Sequence, residues 1–148
     1  MTKRIHAIAG AIALATILSF WISTVVSELF GSAAQVAAVK TFVLYGLGVL
    51  IPAMAAAGGT GFRLGAKWRS GTVNAKKTRM KIIAATGVLV LVPSAVFLAM
   101  KTGQGAFDRD FMIVQAIELA AGASNIALLA LNMRDGMAMR RRRIPKPA

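Results

Sequence analysis

A carboxyl and two amide side chains recur on one side of the last apolar stretch of this chain. Gln115, Glu118 and Asn125 follow three- and four-residue steps through Gly122, so a helix would place all of them on one face. A polar side chain in lipid is costly and is expected to face protein or a water-filled cavity. We therefore expect this face to point into a helical bundle, where Glu118 could bind a proton, a cation or a small polar solute.

Hydroxyl groups on the other apolar stretches are predicted to share the depth of Glu118. A rise of about 1.5 Å per residue places Glu118 roughly 10 Å below the outer end of its helix. The hydroxyls predicted at or near that level are Ser19, Ser23, Tyr45 and Ser94. Two interpretations of this polar layer stay open: buried hydrogen bonds that fix the register of the helices, or a titratable site open toward the outside.

Two prolines lie in the middle of apolar stretches and predict helix kinks. Proline has no backbone N–H, so Pro52 and Pro93 leave the carbonyls of Gly48 and Leu89 without a helical donor. We expect both carbonyls to join the polar layer, because an unpaired carbonyl must be satisfied within protein at that depth.

The single histidine raises the question of haem. His6 opens the first apolar stretch, and a second axial ligand to b-type haem would have to be Met80, Met133 or the His6 of a second copy. The alternative is that His6 belongs to the interfacial flank beside Lys3 and Arg4. The chain has no cysteine, so no metal site is expected, and no cofactor is predicted unless haem is bound.

Four helices must position these groups. The apolar stretches cover about 5–27, 41–62, 82–100 and 111–133, and each is long enough to cross a bilayer. Because 57% of the residues are hydrophobic, one membrane domain over 1–148 is expected. The fold class is therefore predicted as all-α, an integral membrane four-helix (tetraspan) bundle whose short connections make neighbouring helices antiparallel.

The charges between these helices predict the orientation. Of the 18 Lys and Arg residues, 15 lie in the N-terminus, the loop 63–81 and the tail 134–148, whereas Lys40, Lys101 and Arg109 fall in the other two connections with Glu28, Asp108 and Asp110. Lys and Arg are retained on the cytoplasmic side. Both termini are therefore predicted to be cytoplasmic, in an inner membrane, with anionic lipid at the basic face.

The function predicted from these features is non-enzymatic. The net charge of +13 is explained by topology, so no nucleic-acid partner is expected, and the short catalytic motifs are missing. The leading hypothesis is an accessory, assembly or scaffold subunit that contacts other membrane subunits or further copies of itself. A proton-linked solute or ion transport unit that uses the Glu118 layer is the alternative, and haem-dependent electron transfer is the third.

Overall fold

The computed structural model describes residues 2–66 and 71–141, which are almost entirely helical. The helices are α1 (Thr2–Phe30), α2 (Ala33–Gly65), α3 (Gly71–Thr86), α4 (Val92–Gly103) and α5 (Arg109–Arg141). A π-helical segment, Gly87–Leu91, joins α3 to α4, so that Gly71–Gly103 forms one span. Within the described ranges, four spans are long and apolar enough to cross a membrane. The prediction of an all-α chain with four such helices is confirmed.

The helices extend well beyond the apolar stretches. The predicted loop 63–81 is mostly helical, because α2 continues to Gly65 and α3 begins at Gly71. In the predicted tail 134–148, α5 passes Gly136 and continues to Arg141. Lys and Arg are strong helix formers, and hydropathy marks the apolar part of a helix rather than its ends. Residues 67–70 of the predicted loop and residues 142–148 of the predicted tail lie outside the described part of the chain.

Tight connections join the helices at the end where few basic residues lie. A capping box begins α2, because Ser32 N–H donates to Gln35 Oε1 at 2.7 Å while Ser32 Oγ accepts from Gln35 N–H at 3.4 Å. The preceding Gly31 has no room for a side chain, since a Cβ there would lie 2.5 Å from the Ser27 carbonyl oxygen. Between α4 and α5, Gly105 adopts a φ of +67°, which favours glycine.

The two prolines have different local consequences. Pro93 follows the π-helical segment, where Val92 N–H bonds to Gly87 O, whereas Pro52 lies within the continuous helix α2. The expectation that the freed carbonyls join an interior layer is wrong, because Gly48 is exposed and Leu89 is 74% exposed. Each lies about one turn before its proline, and both prolines are themselves on the outer surface.

In the part of the chain that the structure describes, three apolar clusters hold the helices together. They comprise Phe20, Val43, Leu47 and Ala95; Ile17, Ile83 and Leu129; and Val36, Leu98 and Phe111. Each cluster draws residues from at least three helices. The small residues of α2 also pack within the chain: Ala57 is buried, Gly61 lies against the His6 ring, and Gly65 faces Val73 and Lys77 of α3. Close helix contact through small residues is thus used inside the bundle.

Candidate functional site

A buried ion pair joins α2 to α5 near the end of the bundle that carries few basic residues. Lys40 Nζ lies 2.7 Å from Glu118 Oε2, and the exposed fractions of the two side chains are 0% and 12%. The sequence placed Lys40 in a connecting loop, which is wrong, because α2 begins at Ala33 and buries Lys40 on its inner face. The signal was present: Val36, Lys40, Val43 and Leu47 follow helical spacing and all four are buried.

Two further polar side chains complete this cluster. Gln115, which is 4% exposed, donates from Nε2 to Glu118 Oε2 at 3.4 Å. Glu28, in the last turn of α1, interacts electrostatically with both Lys40 and Glu118, and it too was predicted to lie in a loop. We call Glu28, Lys40, Gln115 and Glu118 the charged cluster. It holds two carboxyl groups for one ammonium group.

Two atoms of the charged cluster have no hydrogen-bond partner among the residues that the structure describes. They are Glu28 Oε1 and Gln115 Oε1, and both are buried. A carboxylate oxygen and an amide oxygen accept hydrogen bonds and do not donate them. The cluster therefore lacks a donor or a positive charge, because buried polar groups in folded proteins are ordinarily paired.

Trp21 of α1 packs against α5 beside the charged cluster. Trp21 Nε1 donates to the Leu119 carbonyl at 3.0 Å, and the indole ring packs over Gly122, where an added Cβ would lie 3.1 Å from Trp21 Cδ1. Trp21 lies half-buried between α1 and α5. Beside it a mainly apolar cavity of about 50 Å³ reaches Glu118, which is room for a few water molecules.

The remaining residues of the predicted layer are dispersed. Asn125 is 2% exposed and donates from Nδ2 to the Ile83 carbonyl at 3.3 Å, which joins α5 to α3. Ser94 is buried and Ser23 half-buried, but Ser19 is exposed and donates to the Ala15 carbonyl of its own helix. Tyr45 is 79% exposed, because its position on α2 is rotated away from the buried Val43 and Leu47. Of the predicted layer, only Gln115 and Glu118 lie in the charged cluster.

A second polar contact lies at the basic end. Arg79 donates to Asp135 Oδ2 at 2.6 Å and to Asn132 Oδ1 at 3.4 Å, which ties α3 to α5. Both members of the Arg79–Asp135 pair are partly exposed, at 23% and 16%. An ion pair of this kind stabilises a helix contact only modestly. It fixes the register of α3 without forming an enclosed site.

The three residues considered for haem lie in different surroundings. His6 Nδ1 is 3.0 Å from the Ala57 carbonyl oxygen and 3.2 Å from Thr60 Oγ1, so this ring nitrogen carries the hydrogen that the carbonyl accepts. Met80 packs against the cluster of Ile17, Ile83 and Leu129, and Met133 is 41% exposed. His6 thus has a role in packing α1 on α2, and its Nε2 alone is left as a candidate ligand.

The described residues contain no group of three or more His, Cys, Asp or Glu side chains that could hold a metal ion. In comparisons with known proteins, no family model, curated protein or solved structure matches this chain.

Proposed function

We propose that this protein is a non-enzymatic accessory subunit that packs against other subunits of a larger membrane complex. The observation that carries the proposal is a pair of polar groups on the outward face of α2. Tyr45 is 79% exposed and its hydroxyl has no partner among the described residues. One turn further along the same face, Gly48 is exposed, and Pro52 cannot donate to its carbonyl.

Both groups are costly in lipid unless something pairs with them. A carbonyl or hydroxyl that faces hydrocarbon loses its hydrogen bonds to water, and membrane helices satisfy such groups through neighbouring helices. The glycine at position 48 also allows close approach of another backbone. A partner helix that carries a polar side chain would satisfy Tyr45 and the Gly48 carbonyl together.

An apolar groove continues this face along α1 and α2. It has a volume of about 430 Å³. Its lining residues are Ile5, Ile8, Ala9, Ile12, Val49, Pro52, Ala53 and Ala56. The groove shares Pro52 with the polar face, so one partner helix could contact both.

The proposed topology is an antiparallel bundle in an inner membrane, with both termini cytoplasmic. Two contacts support the antiparallel order of α1 and α2: His6 lies against Ala57, while Phe20 lies against Gly46. A higher residue number in α1 thus meets a lower one in α2. The excess of Lys and Arg at one end supports cytoplasmic termini.

The accessory role is tested by native mass spectrometry of the protein extracted gently from its own membrane. Co-purifying subunits are expected with the wild type and should be lost in Gly48→Leu, which fills the close-contact position. Ala116→Leu is the matched control, because it adds a side chain to an exposed position on α5. Recovery of the same partners with Gly48→Leu, or of the monomer alone from wild-type membranes, would contradict the proposal.

A proton-linked transport unit is the second candidate, and the charged cluster favours it. Ionisable groups within membrane spans commonly mark ion or substrate pathways. The test is proton uptake by proteoliposomes under an imposed pH gradient. Wild type should take up protons and Glu118→Gln should not, because the amide keeps the shape of the side chain without its charge. Equal uptake by both proteins, or none by wild type, would eliminate this candidate.

A further inference from the structure

We propose that Glu28, Gln115 and Glu118 form a binding site for one monovalent cation, either H⁺ or Na⁺, beside the Lys40 ammonium group. The proposal deepens the transport candidate and does not depend on the accessory role. Its first basis is charge. With both carboxyl groups ionised, the charged cluster carries one negative charge more than Lys40 neutralises.

The second basis is hydrogen bonding. Lys40 is already committed to Glu118 Oε2 at 2.7 Å, and the Gln115 amide nitrogen points at the same oxygen. Two buried atoms of the charged cluster, Glu28 Oε1 and Gln115 Oε1, have no partner within the described part of the chain, and both are oxygens. Carboxylate and amide oxygens are the ligands that hard cations prefer, and a protonated carboxyl or hydronium ion would supply the missing donor.

The third basis is the number and accessibility of the ligands. Two carboxylates beside one ammonium group leave one net negative charge, which a single monovalent cation balances. Glu28 is only half-buried and lies in the last turn of α1, next to the exposed connection at Gly31 and Ser32. A cation could therefore enter from that end, whereas the Lys40 side chain is fully buried.

The experiment uses the full chain purified in detergent, with ²²Na⁺ binding measured at constant ionic strength in choline chloride. If Na⁺ occupies the site, saturable binding of one ion per chain is expected for wild type and none for Glu28→Gln. Asp110→Asn is the matched control, because it removes an exposed carboxyl at the same end of the bundle. This control should bind as wild type does.

Occupancy of the site by H⁺ is measured by infrared spectroscopy on the same samples. If H⁺ occupies the site, Na⁺ does not bind, and wild type at neutral pH shows the C=O stretch of a protonated carboxyl that Glu28→Gln lacks. A wild-type protein with neither signal overturns the proposal, since water alone would then fill the site. Should Glu28→Gln fail to fold, Gln115→Leu serves instead: it keeps both carboxyl groups and is expected to weaken binding at least tenfold.

These outcomes separate the site from the transport candidate. Binding without proton uptake by proteoliposomes would keep the cation site and remove transport. Uptake that survives Glu28→Gln and Gln115→Leu, with no cation signal, would remove the site and keep transport.

Discussion

Lys40 Nζ lies 2.7 Å from Glu118 Oε2, and this contact joins α2 to α5 with a lysine side chain that is fully buried. Each charge compensates the other in an environment where a lone charge is costly. The pair therefore fixes the register of α2 against α5, and it holds Glu118 beside Gln115 and Trp21.

Removal of Lys40 alone should destabilise the bundle strongly. Lys40→Met leaves Glu118 without its counter-charge, which is expected to cost about 3 to 5 kcal/mol of unfolding free energy. The measurement is chemical unfolding in mixed micelles. Lys40→Met combined with Glu118→Met should recover most of the loss, because no unpaired charge then remains.

The control for this prediction is Lys101→Met. Lys101 pairs with Asp108 at 2.5 Å, but the Asp108 side chain is 48% exposed, so removal of Lys101 should have a much smaller effect. Similar losses for Lys40→Met and Lys101→Met would show that burial of the Lys40 pair has no special importance.

Gly46→Ala should destabilise the contact between α1 and α2. An added Cβ would collide with the Phe20 ring, which is 7% exposed and packs edge-to-face on Phe42. Overpacking of this kind costs about 1 to 3 kcal/mol. Thermal unfolding followed by circular dichroism gives the measurement.

Gly10→Ala is the matched control for Gly46→Ala. A Cβ at Gly10 meets no atom of the described residues within 4 Å, so the substitution should stabilise α1 by up to about 1 kcal/mol through helix propensity. The double variant Gly46→Ala with Phe20→Leu should relieve the collision, because leucine is smaller than phenylalanine and has no ring. If Gly46→Ala and Gly10→Ala stabilise equally, the packing of Phe20 on Gly46 is wrong.

Stability should fall in acid through Asp108, at the connection between α4 and α5. The pKa of Asp108 is held below its usual value of 3.8, first because Lys101 donates to its side chain and then because Phe111 N–H donates to Oδ1 at 3.0 Å. A lowered pKa in the folded state means that the stabilisation is complete above the unfolded value and is lost as pH falls through the folded value.

The acid effect is measured as the midpoint of thermal unfolding from neutral pH to about pH 2. Asp108→Asn keeps a helix-capping side chain but cannot titrate, so its profile should be flatter at low pH. Asp110→Asn is the control, because Asp110 makes no hydrogen bond to Lys101 or Phe111 in the described structure. Identical acid profiles for wild type and Asp108→Asn would contradict this role.

The proposed topology can be tested because the chain has no cysteine. Single cysteines are introduced at Gln104, in the connection after α4, and at Thr72, in the first turn of α3, both of which are exposed. A membrane-impermeant maleimide applied to intact cells should label Gln104→Cys almost completely and Thr72→Cys hardly at all. Labelling of Thr72→Cys alone would show that the topology is the inverse of the proposed one. Lysed cells, in which both cysteines should be labelled, provide the control.

The sequence by itself determined that the chain is all-α with four membrane-length helices. Long apolar stretches in lipid must satisfy their backbone hydrogen bonds internally, so helices follow from composition alone. The spacing of the polar residues in the sequence also predicted that Gln115, Glu118 and Asn125 lie on one helix face. The sequence did not predict where the helices end. Lys and Arg residues flank the apolar stretches, and these residues are found in helices as readily as in loops, so α3 and α5 include some of them.

Only the tertiary structure decided which polar groups meet. Lys40 and Glu28 are charged residues at the ends of apolar stretches, where a loop is the usual prediction. Their place in the charged cluster depends on the rotation of α2 and α1 against α5. The same rotation turns Trp21 inward and Tyr45 outward. A hydropathy pattern records how apolar each stretch is, but not which side of one helix faces another. That choice is made by packing and charge pairing between residues far apart in the chain.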